Sequence, residues 1–145
     1  MLKKWTPQDM PTLQVERLSR LLAKRTDDSL REAGLRAAHL PVLAALKDGD
    51  GKTQKELAIL TDVEQPSMAQ LLARMERDGL ITRTASSHDR RSSIVTLPPD
   101  AMGRLEPGRD VLRRVDKDAC ACLSEDERDT LVRLLTKLIE DQKER

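Results

Sequence analysis

The sequence predicts a mainly α-helical fold that carries one small β-hairpin. Apolar residues recur at spacings of three and four through most of the 145 residues, the period of helices with one buried face. Only two short runs, residues 80–83 and 93–97, are β-prone, and a polar, turn-rich stretch lies between them. Glycine, proline and capping residues fall where most of the helical patterns stop and start.

Residues 1–10 read as a loose arm bounded by Pro7 and Pro11, and Pro11 suits a first helical turn. From Thr12 to Ala33 the pattern is helical, with Val15, Leu18 and Leu22 in a stripe and Leu21 one step round. Gly34 follows as a left-handed stop. A second helical segment covers residues 35–47. Pro41 is tolerated only in a first turn, so the helix starts near Ala38. Asp48-Gly49-Asp50-Gly51 is a turn by composition.

Thr53 and Glu56 form a capping box that opens a short helix over 54–60, with Leu57, Ala58 and Leu60 expected inward. A turn at Thr61-Asp62-Val63 leads to a helix from about Gln65 to Asp78. Pro66 sits in its first turn, Met68, Leu71, Leu72 and Met75 form its buried stripe, and Gly79 stops it. The two strands and a long polar loop then make the hairpin. After Pro98-Pro99 a helix restarts near Asp100, with Met102 and Leu105 inward and a kink or break expected at Pro107-Gly108. Val111, Val115, Ala119 and Cys122 continue an apolar stripe, which makes Cys122 a packing residue and leaves Cys120 off the stripe. Ser124 and Glu127 cap the last helix, whose face is Leu131, Leu134, Leu135, Leu138 and Ile139.

Composition narrows the function. Trp5 is the only aromatic residue, so the core is aliphatic and readers that stack bases on aromatic rings are disfavoured. The net charge is +1, from 26 basic and 25 acidic residues, so a nucleic-acid role must rest on local charge. Such a concentration exists: residues 83–91 hold Arg83, Arg90 and Arg91 against the single acid Asp89. Two cysteines are too few for a disulfide scaffold, and no apolar run reaches the roughly 18 residues of a membrane span, so a soluble cytoplasmic protein is expected. No catalytic constellation, phosphate loop or metal-ligand spacing stands out, and no cofactor is implied; His39 reads as a packing or rim residue.

A helix, a turn and a second helix, followed by a basic hairpin, suit double-stranded DNA. The major groove admits one helix, read chiefly by polar side chains near its N-terminus. Gln65, Pro66, Ser67 and Gln70 occupy that position; Gln pairs bidentately with adenine, and Ser serves any base. Arg74, Arg77 and Arg83 suit phosphates. Arg90 is the candidate for the minor groove, where a narrow groove concentrates negative potential, and Asp89 with Arg91 is the candidate pair that braces the loop. The two arginines could exchange these roles.

The run from Glu64 to Leu97 resembles the core of the MarR family of winged helix-turn-helix regulators, and particularly its SlyA-like branch. Glu64-Gln65-Pro66-Ser67, residues 71–75, Gly79-Leu80-Ile81, Arg83 and Asp89-Arg90-Arg91 carry the resemblance, with residues 43–46 and Glu56-Leu57-Ala58 fitting the approach to it. It implies a homodimer whose first and last helices interlock, a pseudo-palindromic operator, Arg90 as minor-groove reader, and a small phenolic or aromatic anion as effector of a repressor. Gln70 departs from the arginine common in SlyA-like proteins, and Leu97-Pro98 from the family's Leu-Thr. Redox-sensing members usually carry a cysteine in the first helix, and this chain has none there.

The expected organisation is therefore a winged helix-turn-helix domain over 35–98 and a helical dimerisation region from 1–34 and 99–145. Val15, Leu18, Leu22, Leu131, Leu134, Leu135 and Leu138 are its candidate contacts. A thiol-based sensor that binds DNA, and a helical protein-interaction module that does not, are the competing readings.

Overall fold

A computed structural model of the chain describes residues 5–86 and 92–145. Among the described residues, six α-helices and one two-stranded sheet follow in order: α1 (Pro11–Leu30), α2 (Leu40–Leu46), α3 (Gln54–Thr61), α4 (Gln65–Arg77), β1 (Thr82–Ala85), β2 (Ser93–Thr96), α5 (Pro99–Ala119) and α6 (Glu125–Lys143). Short 3-10 turns cover Pro7–Asp9, Arg31–Ala33 and Ala37–His39. The first helix thus gives way to a tighter turn three residues before Gly34, which takes the expected left-handed conformation at φ 70°. The second begins as the 3-10 turn at Ala37 before Leu40 starts the α-helix.

The core gathers where α2, α3, α4 and the strands meet. Val42, Leu43, Leu57, Met68, Leu72, Met75 and Val95 are fully buried there, beside Leu46, Leu80 and Ile81. Removing each Leu or Met of this kind from water stabilises the fold by roughly 1.5–3 kcal/mol before chain entropy is set against it. Local signals fix the helix ends. Thr53 Oγ1 accepts from the Glu56 N–H at 3.1 Å, and Ser124 Oγ accepts from the Glu127 N–H at the same distance. Gly79 closes α4 at φ 76°.

The hairpin is antiparallel, with Thr82 opposite Thr96, Arg83 opposite Val95, Thr84 opposite Ile94 and Ala85 opposite Ser93. Leu80 and Ile81, expected within the first strand, instead precede it as buried anchors. On the other edge of β2, Lys52 exchanges two backbone hydrogen bonds with Val95, at 3.1 and 2.8 Å. This third pairing was not foreseen, because one residue after a glycine-rich turn carries no strand periodicity.

Several expectations fail for tertiary reasons. Leu60 is exposed, because it lies about 110° round α3 from the midpoint of the buried pair Leu57 and Ala58. Helix α5 runs unbroken through Pro107. The hydrogen bond that Pro107 forfeits would have reached the carbonyl of Gly103, which is exposed and open to water, while Gly108 packs on the Leu35 side chain. Ala101, not Met102, is the buried residue of the first turn of α5. The cysteines exchange their expected places: Cys120 is half-buried and Cys122 exposed, because α5 ends at Ala119 and its stripe does not continue.

The outer helices stand partly uncovered. Leu22, Leu131 and Leu135 are half-buried, while Val15, Leu18, Leu134, Leu138 and Ile139 are exposed. Among the described residues no helix is long and apolar enough to cross a membrane.

Candidate nucleic-acid interface

Helix α4 owes its orientation to three side chains. Met68, Leu72 and Met75, at steps of four and three, are fully buried, and Leu71 flanks them half-buried. The remaining faces and the first turn then look outward. Gln65, Pro66, Ser67, Gln70, Arg74 and Arg77 are all exposed there. No side chain caps the N-terminus of α4, so its first-turn N–H groups remain available to an anion.

The first turn of α4 is tied to α3. Gln54 Nε2 donates to Gln65 Oε1 at 3.3 Å and lies 3.5 Å from the Gln65 carbonyl oxygen. Periodicity could not reveal this partner, since both side chains are polar and neither lies in an apolar stripe. Arg74 Nε donates to the Gln70 carbonyl at 3.4 Å, which lays its guanidinium along the helix. Arg77 stands 3.7 Å from the Asp78 carboxylate.

Arg83, read as a phosphate contact, has a partner within the protein. Its side chain is half-buried in β1, and its Nε, which makes no hydrogen bond, lies 3.7 Å from Glu76 Oε1. Its charge leans on α4 and joins the hairpin to the helix. Ser86 donates from its backbone to the Ser92 carbonyl at 3.2 Å, so the ladder continues to the base of the tip. Asp89, Arg90 and Arg91 fall at 87–91, outside the described residues.

Behind the exposed face, His39 is buried and its Nδ1 accepts from the Arg36 N–H at 3.1 Å. Burial pushes its pKa below the ordinary value; the Asp78 charge opposes that, Arg36 reinforces it, and Asp27 and Arg74 add smaller effects of opposite sign. It is a neutral packing residue. Among the described residues no group of three or more His, Cys, Asp and Glu side chains could hold a metal ion.

The arrangement is a two-part surface: a polar helix face held on an apolar base, and a hairpin braced to it by Glu76 and Arg83. A model of the MarR family matches residues 33–92, the stretch that builds this surface. A Thauera aromatica protein named as a transcriptional regulatory protein for the hcr operon is 32% identical over 103 residues, covering 71% of this chain and 62% of its own length. The uncharacterised HTH-type transcriptional regulator YwoH of Bacillus subtilis is 30% identical over 93 residues, covering 64% of this chain and 67% of its own. The fold matches that of the M. tuberculosis transcriptional regulator MOSR, crystallised in complex with DNA, with a TM-score of 0.78 at 24% identity over 92% of this chain and 96% of that one. With a polar helix face and a braced hairpin where that family model falls, and with a regulator of such identity covered over two thirds of its length, the chain belongs to the MarR family.

Proposed function

We propose that the chain is a sequence-specific DNA-binding transcriptional regulator that acts in the cytoplasm as a homodimer on a pseudo-palindromic operator. The observation that carries this reading is the division of α4, in which Met68, Leu72 and Met75 are buried while Gln65, Ser67 and Gln70 are presented. That division is what entry into a major groove requires. Arg90 and Arg91 at the tip supply the minor-groove and loop-bracing charges, with Arg74 and Arg77 for phosphates. Within the family, Glu64-Gln65-Pro66-Ser67 and Asp89-Arg90-Arg91 point to the SlyA-like branch.

Residues 35–98 form the DNA-binding unit in this reading, and 1–34 with 99–145 the dimerisation region. The uncovered stripes of Val15 and Leu18, and of Leu134 and Leu138, are the surfaces a second copy covers. Regulation is repression relieved by a small phenolic or aromatic anion. A cavity of about 630 Å³ between α2 and α5, lined by Leu40, Leu43, Leu105 and Leu112 with Lys47 and Arg109, has the apolar walls and positive charge such a ligand needs.

Selection of bound DNA from a random pool tests the reading. The expected product is an inverted repeat with half-sites about 10 base pairs apart, bound by a species of dimer mass in light scattering. Recovery of no enriched sequence would leave the helical protein-interaction module as the better account. Release by peroxide, abolished in Cys120→Ser, would favour the thiol sensor.

A further inference from the structure

Four described residues have positive φ, and three of them are glycines: Gly34, Gly49 and Gly79. The fourth is Asp62, at φ 56°, in the turn between α3 and α4. Glycine takes this conformation without strain, and aspartate takes it at a modest cost that a partner for its short polar side chain can offset, so the partner of this acid matters. The structure supplies one. Asp62 Oδ2 lies 3.5 Å from Nζ of Lys143, the last residue of α6.

Helix α6 is a strut about 28 Å long at 1.5 Å per residue. At its start, Arg128 pairs with Asp116 of α5, and the capping box of Ser124 and Glu127 fixes the first turn. At its end Lys143 meets Asp62. Between them none of its side chains is fully buried, and Leu131 and Leu135 are half-buried beside α1. The far contact lies beside the first turn of α4: the Asp62 N–H is bonded to the Ala58 and Ile59 carbonyls, and only residues 62–64 separate α3 from α4.

We propose that Asp62 and Lys143 are positioning residues for DNA recognition. Through them α6, which also carries the stripe assigned to the second copy, sets where Gln65 and Ser67 stand relative to the dimer axis. This rests on the DNA-binding reading above.

The test is a double-mutant cycle in the full chain, with Asp62→Asn and Lys143→Gln, measured on the selected operator and on operators with half-sites moved by one base pair. Each single change is expected to lower operator affinity by about three- to tenfold, because each dimer holds two such pairs, and to weaken discrimination against the shifted spacings. The double variant should be no weaker than the weaker single. A purely electrostatic role predicts the opposite sign for Asp62→Asn, since loss of a negative charge should tighten DNA binding. Asp62→Gly separates structure from positioning: relief of the left-handed strain should raise stability while affinity falls as in Asp62→Asn. Additive losses, or an Asp62→Asn protein equal to or tighter than wild type, would overturn the proposal.

A DNA-free measurement distinguishes the two failures. Amide hydrogen exchange at Asp62 and Val63 should quicken in Lys143→Gln. Unchanged exchange in a protein that still selects an operator defeats the positioning role alone. A wild-type protein that selects no DNA defeats the regulator reading, and the positioning role with it.

Discussion

Gln54 of α3 donates to the side-chain oxygen of Gln65 in the first turn of α4 at 3.3 Å, so the helix before the turn holds a side chain proposed to read a base from the helix after it. The bond uses one lone pair of Gln65 Oε1 and leaves the other, with the whole NH₂ group, for a base edge. Gln65→Ala should relax preference at one base pair of each half-site by roughly 1–3 kcal/mol, the worth of a bidentate contact. Gln54→Ala should reproduce part of that loss without touching a base. Anisotropy titrations against operators substituted at single positions would check both; equal affinity for all four bases in the wild type would remove Gln65 from the readers.

Arg90 should matter through the salt dependence as much as through affinity. Its replacement by Ala takes one cation from each subunit, so the slope of log affinity against log salt should flatten by about 2, at roughly 0.9 per phosphate neutralised. Affinity at low salt should fall by about tenfold or more. Arg91→Ala, if it braces the loop, should change the slope less. The two titration series compared side by side assign the roles of the arginines.

Much of this site could be read before any coordinates, and the reason is local. The capping boxes at Thr53 and Ser124, the left-handed stops at Gly34 and Gly79 and the stripe of α4 each depend on residues within one or two turns of each other. What failed depends on distant neighbours. Leu60 looks like core until the edge of the α3 contact is known, and Pro107-Gly108 looks like a break until Leu35 is found against Gly108. The Glu76–Arg83 and Gln54–Gln65 contacts each join a half-buried polar residue to an exposed one, and polar pairs leave no trace in hydrophobic period.

Gly51 is the position where a methyl group should do most harm. A Cβ there would meet Ile94 Cγ2 at 2.1 Å, next to the Lys52–Val95 pairing. Gly51→Ala should therefore push the hairpin from the body, lowering stability by about 1–3 kcal/mol in urea unfolding. DNA affinity should fall with it if the hairpin reads the minor groove. Gly49→Ala, with nothing within 4 Å but a left-handed φ of 83°, should cost through the backbone alone, about 1 kcal/mol, and leave the hairpin in place.

His39 gives stability a defined response to acid. Its folded-state pKa is lowered from 6.5 chiefly by burial, so below that value the unfolded chain binds the proton more readily than the folded one. This contribution is complete above the unfolded pKa of 6.5, declines as pH falls through the interval down to the lowered folded value, and then levels off. Urea midpoints taken between about pH 7.5 and about pH 5 should fall for the wild type and fall less for His39→Gln, whose amide oxygen can still accept from the Arg36 N–H. Parallel curves for the two proteins would assign the acid response to the carboxylates.

The placement of the single indole decides what light can report about this molecule. Trp5 is 71% exposed on the arm ahead of α1, and the interior has no Phe, Tyr or Trp. Intrinsic emission is therefore nearly silent to melting of the core, which must be followed by far-ultraviolet dichroism. It becomes instead a clean beacon for the arm. A blue shift on raising protein concentration would record the arm settling on a mate, and the same signal, quenched or restored by added anions, would follow the dimer without any label.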